Sequence, residues 1–274
     1  MTFEPSEKTG SIKLVDSHAH LDMPDFDPDR TEVIARAEEQ GICGLLCPSE
    51  ISDPKSLRNN LDLAARYPWI FAAAGVHPHN AQIFSQESVS ELQRLAAGGE
   101  IRAVGEIGLD FHYNLSPPKD QLRAFREQLR LAQELDLPVI IHSRAAAKDI
   151  AAAIDLEGFT RGGVLHCFTE DREFAEKMLE RGFWISFSGI LTFPKALEIK
   201  DTARALPSDR ILIETDSPFL TPVPFRGKIK RNEPRLVYFT AKYLAELRKV
   251  SLTDLAEQTT RNFMACFRFD IPGY

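Results

Sequence analysis

Seven histidines punctuate the chain, and five of them fall where a run of apolar residues ends. His18 and His20 follow Val15-Asp16-Ser17, His77 follows Ala74-Gly75-Val76, His142 closes Val139-Ile140-Ile141, and His166 closes Gly163-Val164-Leu165. Two carboxylates are placed the same way, Glu106 after Val104-Gly105 and Asp216 after Ile213-Glu214-Thr215. Residues i and i+2 of a strand face one side. His18 and His20 therefore aim two imidazoles in one direction, which suits chelation of a borderline cation such as zinc. A lone histidine at a strand end is more often a hydrogen-bonded structural residue. The His-x-His pair joined by His142, His166 and Asp216 on other strands is a different matter, and it points to metal. Glu106 alone would serve equally well as half of a salt bridge. Among four imidazoles and Asp216 it reads as a carboxylate bridging two divalent ions. Four imidazoles favour Zn, Mn, Fe or Co over Mg, which prefers oxygen ligands. Asp110, His79 and His112 read as turn or loop residues and are assigned no role.

These groups can meet only if the strands that carry them converge. Strand-length apolar runs lie at Ile12–Asp16, Gly44–Pro48, Ile70–Val76, Ile101–Glu106, Pro138–His142, Gly163–Cys167, Phe183–Phe187 and Arg210–Glu214. Several are solidly apolar, the mark of a strand covered on both faces. Amphipathic stretches alternate with them. Pro118–Asp136 aligns Leu122, Phe125, Leu129 and Ala132 on one stripe, and Asp171–Arg181 aligns Phe174, Ala175, Met178 and Leu179 behind an acidic start. Further helices are expected at Asp29–Gln40, Pro54–Arg66, Glu87–Ala97, Ala145–Ile154, Pro194–Leu206, Pro234–Leu247 and Leu252–Cys266. Eight strand–helix units predict a parallel sheet with right-handed crossovers, closed as a single (β/α)8 TIM barrel. The metal site then lies at the C-terminal ends of the strands, on the face where barrel active sites form. A doubly wound open sheet is the alternative. The chain lacks the G-x-G-x-x-G turn and the G-x-x-x-x-G-K-[ST] loop that usually accompany it.

Composition excludes several other classes. The 274 residues carry 33 basic and 40 acidic side chains, and 43% are apolar, which fits a folded soluble domain and not a disordered chain. The net charge of −7 argues against coating nucleic acid by bulk charge, though not against local grip on a phosphate. Met1–Gly10 lacks the basic and apolar regions of a signal peptide, and the longest apolar stretch, Trp69–Val76, is too short to cross a membrane. Cys43, Cys47, Cys167 and Cys266 form no C-x-x-C pair, consistent with reduced thiols in a cytoplasmic protein. No heptad or apolar stripe marks an oligomer interface, so a monomer without membrane attachment is expected. Residues 1–11 read as an N-terminal extension, expected to be disordered, and residues 12–274 as one domain. The Pro-rich, basic segment Ser217–Glu233 reads as a functional loop.

Seven segments occur in order: VDSHAHLD (15–22), GVHPH (75–79), AVGEIGLDFH (103–112), PVIIHSR (138–144), GVLHCF (163–168), ILIETDSPFL (211–220) and RNEP (231–234). The set resembles the TatD family of metal-dependent deoxyribonucleases, a branch of the amidohydrolase-like barrels, over about Ile12 to Cys266. The resemblance implies that His18, His20 and Asp216 hold one metal, that His142 and His166 hold a second, and that Glu106 is shared by both. It also implies that His77 faces the substrate phosphate. The basic segment Arg226–Arg231 is longer than the family's compact form, which leaves Arg231, Lys228 and Lys230 as candidates for a phosphate contact. Two divalent ions (Zn, Mn or Mg) and single-stranded DNA are the implied cofactors and substrate.

The expected chemistry is hydrolysis of a phosphodiester by a metal-acidified water, with Asp216 and Glu106 as catalytic carboxylates. Divalent ions lower the pKa of water from 15.7 to about 7. A small-molecule amide or ester hydrolase, an aminoacyl-tRNA deacylase and a non-enzymatic metal-holding module are the competing readings. The basic loop favours an anionic substrate. Stacking of bases on Phe111, Tyr113 or Phe193 is a further expectation.

Overall fold

Apolar strand segments flanked by amphipathic helices bury both faces of a sheet, and the chain folds accordingly. The structure, a computed structural model, describes residues 12–274, so the expectation for residues 1–11 lies outside the described residues. Eight strands run in order: β1 (Leu14–Asp16), β2 (Ile42–Glu50), β3 (Ile70–Gly75), β4 (Val104–Asp110), β5 (Val139–Arg144), β6 (Gly163–Leu165), β7 (Phe183–Phe187) and β8 (Ile211–Ile213). Each pairs in parallel with the next. The seam between β8 and β1 is closed just past their ends, where Ser17 N–H donates to Ile213 O (3.0 Å) and Asp216 N–H to His18 O (2.9 Å). The result is a nearly closed TIM barrel.

The helices α1 (Arg30–Glu39), α2 (Pro54–Arg66), α3 (Gln86–Ala97), α4 (Pro118–Glu134), α5 (Ala147–Glu157), α6 (Arg172–Glu180), α7 (Leu197–Ala205) and α8 (Val237–Arg248) surround the sheet, with α9 (Leu252–Phe267) following. Asp171 caps α6 by accepting from Phe174 N–H at 2.8 Å, as its position predicts. Pro234 opens a short 3-10 turn, Pro234–Leu236, and α8 begins after it. Inside the barrel, Val15, Leu46, Ala73, Ile140, Val164 and Leu212 form one buried cluster with Phe263, Phe267 and Ile271, so the C-terminal segment is part of the barrel's inner core. No helix among the described residues is long and apolar enough to cross a membrane, and the four cysteines are free.

Three strands run further toward the mouth than their apolar runs suggest. β4, expected over Ile101–Glu106, spans Val104–Asp110, β5 continues past His142 to Arg144, and β2 reaches Glu50. The apolar run ends at Glu106, and Gly108 beyond it carries no side chain to extend the pattern. Gly108 adopts φ 141 where any side chain would collide with the His142 carbonyl oxygen, so glycine is what lets β4 pass β5. The extension places Glu106 in the middle of its strand rather than at its end.

Asp16 pins the seam beneath the site. Its carboxylate accepts from Thr215 N–H (2.9 Å), Thr215 O–H (2.6 Å) and His18 N–H (3.3 Å), and it is fully buried. Burial pushes its pKa up to about 8 despite those donors, with Glu214 adding repulsion. Asp16→Ala strands the Thr215 groups and is expected to cost on the order of 2–4 kcal/mol in denaturant unfolding. A folded-state pKa above the unfolded 3.8 means the folded chain holds the extra proton, so this group's contribution to stability declines between about pH 4 and pH 8. Asp16→Asn is expected to remove that decline, and the difference from wild type, measured by unfolding across pH, grows in the variant's favour as pH rises.

Candidate metal centre

The strand ends deliver the histidines and carboxylates to one place. Glu106 projects from the middle of β4 and is the hub. Its Oε2 lies 3.3 Å from His18 Nε2 and 3.7 Å from His20 Nε2. Its Oε1 lies 2.7 Å from His166 Nε2, 2.9 Å from His142 Nδ1 and 3.3 Å from His77 Nε2. Asp216 Oδ1 approaches His20 Nε2 at 3.6 Å and His18 Nε2 at 3.8 Å. One carboxylate oxygen thus faces the His18–His20 side and the other the His142–His166 side. Two triads, His18–His20–Asp216 and His77–Glu106–His142, each bring three ligand atoms within 4.8 Å of one another, and a third, His18–His166–Glu214, lies fully buried.

Backbone geometry sharpens the placement. Asp216 sits at φ 53 and Cys167, next to His166, at φ 44, conformations that cost non-glycine residues energy and cluster at functional sites. Each is tied down: Asp216 O accepts from Phe219 N–H at 2.9 Å, and Cys167 N–H donates to Glu214 Oε1 at 2.6 Å.

The electrostatics describe a site built for cations. Burial would raise the Glu106 pKa, yet His166, His77 and His142 hold it well below the usual range. Burial opposes Asp216 in the same way, and His20, His18 and His166 overcome it. Burial lowers His18 and His77 below an ordinary imidazole. It also opposes protonation of His20, but the hydrogen bond to Asp216 and the charges of Glu106, Asp22 and Asp216 push that group up to about 9. Two imidazole nitrogens, His18 Nε2 and His20 Nε2, stand 3.1 Å apart and converge on Glu106 Oε2. Such a donor set, four imidazoles and two carboxylates, fits divalent metal ions.

Two residues without an expected role belong to the cluster. Asp110, at the end of β4, accepts from both His112 N–H (3.0 Å) and Tyr113 N–H (2.8 Å) through Oδ1. Its Oδ2 lies 2.9 Å from His79 Nε2 and 3.2 Å from His142 Nε2. His142 therefore spans two carboxylates, with Nδ1 on Glu106 and Nε2 on Asp110, an arrangement that orients a ligand ring. The signal was present in the sequence, since Asp110 shares the phase of Glu106 four residues on. A strand ending at Glu106 with its apolar run leaves Asp110 outside, whereas β4 continues to it. Glu214 is the other addition, 3.5 Å from His166 Nδ1.

A cavity of about 1040 Å³ opens above the cluster, lined by His20, His77, Glu106, His142, His166 and Asp216 among others. The basic loop does not reach it. Arg231 donates to Asp29 (2.8 Å) and to the Asp25 carbonyl (2.6 Å) and lies over the Phe26 ring, so its guanidinium is committed to the start of α1. Neither Arg231, Lys228 nor Lys230 lines the cavity. Of the aromatic candidates only Tyr113 does; Phe111 packs on the core and Phe193 lies under Arg226.

An eight-stranded barrel with imidazoles and carboxylates converging at the C-terminal mouth defines the class of metal-dependent barrel hydrolases. The comparisons narrow it. The family described as TatD related DNase matches residues 15–268. A metal-dependent hydrolase of Bacillus subtilis, YabD, is 39% identical, covering 94% of this chain and all of its own length. The 3′-5′ ssDNA/RNA exonuclease TatD of Erwinia billingiae is 37% identical over 93% of this chain and 99% of its own. The crystal structure of YjjV, a TatD homologue of Escherichia coli, superimposes with a TM-score of 0.87 at 30% identity, over 94% of this chain and 98% of that one. The chain belongs to the TatD-related DNase family, and it is a metal-dependent hydrolase acting on ester bonds.

Ion uptake must displace the protons that the metal-free histidines hold. Below about pH 9 the raised His20 carries one, so metal affinity is expected to rise with pH up to about 9. Isothermal titration of Zn or Mn into chelator-stripped protein checks this, with a Kd that falls as pH increases and proton release that varies with the buffer. Asp110→Ala is expected to weaken the same binding by about 10–100-fold while circular dichroism stays unchanged.

Proposed function

We propose that this chain hydrolyses phosphodiester bonds of single-stranded DNA with two divalent ions, held by His18, His20 and Asp216 on one side and by His142 and His166 on the other, with Glu106 between them. The observation that carries the reading is the division of labour in Glu106, whose Oε2 faces one histidine pair and whose Oε1 faces the other. When bound, the ions acidify a water and neutralise charge on the phosphoryl oxygens. Glu106 and Asp216 supply two negative charges against four positive ones, so a phosphodiester is welcome there despite the acidic chain.

Asp216 is ionised and next to the cavity, which suits it to orient the attacking water and take its proton. The water oxygen bonds to phosphorus as the ester P–O bond breaks in line, and the leaving oxygen takes up a proton. His77 lines the cavity; its Nδ1 accepts from His79 N–H at 3.2 Å, so the one N–H of the neutral ring is at Nε2, 3.3 Å from Glu106 Oε1, and once Glu106 turns to the ions that N–H can donate a hydrogen bond to a phosphoryl oxygen or to the leaving oxygen. The rim favours unpaired bases. Tyr113, Leu115 and Phe219 line the cavity and are more than half exposed, offering apolar faces that stacked bases in a duplex would not reach. The 37% identity to a protein named as an ssDNA/RNA exonuclease supports the same substrate class.

The test is a parallel assay of single-stranded DNA, RNA, an activated phosphodiester and a cyclic amide with added Mn, Mg or Zn. Metal-dependent cleavage of DNA that chelator abolishes is expected. Glu106→Ala and His142→Ala are expected to lower turnover by at least about 10³-fold with folding retained. Turnover of the amide alone would reject the nuclease reading, and full activity in Glu106→Ala would reject the shared carboxylate.

A further inference from the structure

The cavity poses an electrostatic problem for a polyanion. Asp22, Glu50, Asp53, Glu106, Asp110 and Asp216 all line it, and among the described lining residues Arg144 is the one side chain with a permanent positive charge. Glu106 and Asp216 face the ion site, and Asp53 is occupied in capping α2. None of them attracts a phosphate that lies beyond the ions.

Arg144 is placed to do so. Ile140, His142 and Arg144 follow one another at every second position of β5, so they share a side of the sheet. Ile140 fills the barrel interior, His142 joins the ligand cluster, and Arg144 comes next toward the mouth. At about 3.3 Å of rise per residue, Arg144 stands roughly 6–7 Å beyond His142 along the strand. The guanidinium lies 4.6 Å from the centre of the Tyr113 ring, and it has no carboxylate partner among the described residues. Other arginines near this end of the barrel are committed: Arg231 to Asp29, Arg36 to Glu233 and Arg30 to Asp27. A guanidinium steadied by a ring, with its donors free, is a fork for two phosphate oxygens.

We propose that Arg144 binds the phosphate adjacent to the scissile one, with Tyr113 as the positioning residue that holds the guanidinium over the cavity. This rests on the phosphodiester reading of the same site. It assigns to the end of β5 the contact that the sequence had suggested for the loop at 226–231.

The experiment uses the metal-loaded full chain and a short single-stranded DNA in which the phosphate beside the scissile one is either native or a neutral methylphosphonate. Arg144→Ala is expected to raise KM for the native substrate about 10–100-fold, with kcat within about threefold, as loss of a charged hydrogen-bonded contact implies. The methylphosphonate is expected to cost wild type a similar factor and Arg144→Ala almost nothing. Arg144→Lys, which keeps charge without the fork, and Tyr113→Leu are expected to fall between. A KM within twofold of wild type, an equal penalty from the methylphosphonate in both proteins, or a loss confined to kcat would overturn the assignment. Wild-type protein that cleaves no DNA would reject the nuclease reading instead. Arg144 is then judged by fluorescence anisotropy of the same oligonucleotide across salt, where Arg144→Ala is expected to reduce the slope of log K against log salt by about 0.7. Equal slopes, or no binding by wild type, would overturn it.

Discussion

One buried carboxylate surrounded by imidazoles is the constraint on which the rest of the structure depends. Glu106 has five histidine nitrogens between 2.7 and 3.7 Å from its two oxygens. Imidazoles repel one another when protonated and leave the carboxylate uncompensated when neutral, so protons alone satisfy the group poorly. Divalent cations resolve the conflict, because every ligand can then present a lone pair. The cost of holding the ligands together without ions falls on the scaffold, which must prevent them from splaying apart.

The scaffold does this with short, buried polar ties close to the cluster. Asp16 fastens Thr215 and the His18 backbone where β1 meets β8, directly below His18 and Asp216. Asp110 holds the far nitrogen of His142, and Glu214 receives Cys167 N–H beside His166. The β8-side ligand is further secured because Asp216 and His18 bond through their backbones, which joins two members of one triad across the seam. Each tie is a polar group in a region that excludes water, where an unmade bond costs more than it would at the surface.

Charge is arranged on a larger scale as well. The basic loop reaches outward and binds α1 through Arg231 and Asp29, so it anchors the segment after β8 and leaves the cavity to the acidic residues. A polyanion therefore meets positive charge at the ion site and at Arg144, and negative charge elsewhere on the wall.

Much of this was legible in the sequence. Apolar runs with His, Glu or Asp at their ends point to the strand count, the parallel order and seven cluster residues, because a two-residue period links what packs inside to what emerges at the mouth. Legibility failed where the physical cause was non-local. The end of β4 is hidden because Gly108, just past the apolar run, adds nothing to the pattern until β5 is seen to pass too close for a side chain there. Asp110 and His79 look like loop residues because the contacts that tie them in, Asp110 to His79 and Asp110 to His142, each join residues more than 30 positions apart. Arg231 looked free because its acidic partner, Asp29, is 202 positions distant. By itself, then, the sequence determined which residue types stand at the ends of which strands, since hydrophobic periodicity is a local property. Only the tertiary structure decided which charged groups neutralise one another and which remain free to meet a substrate, because electrostatic pairing depends on distances that chain separation does not encode.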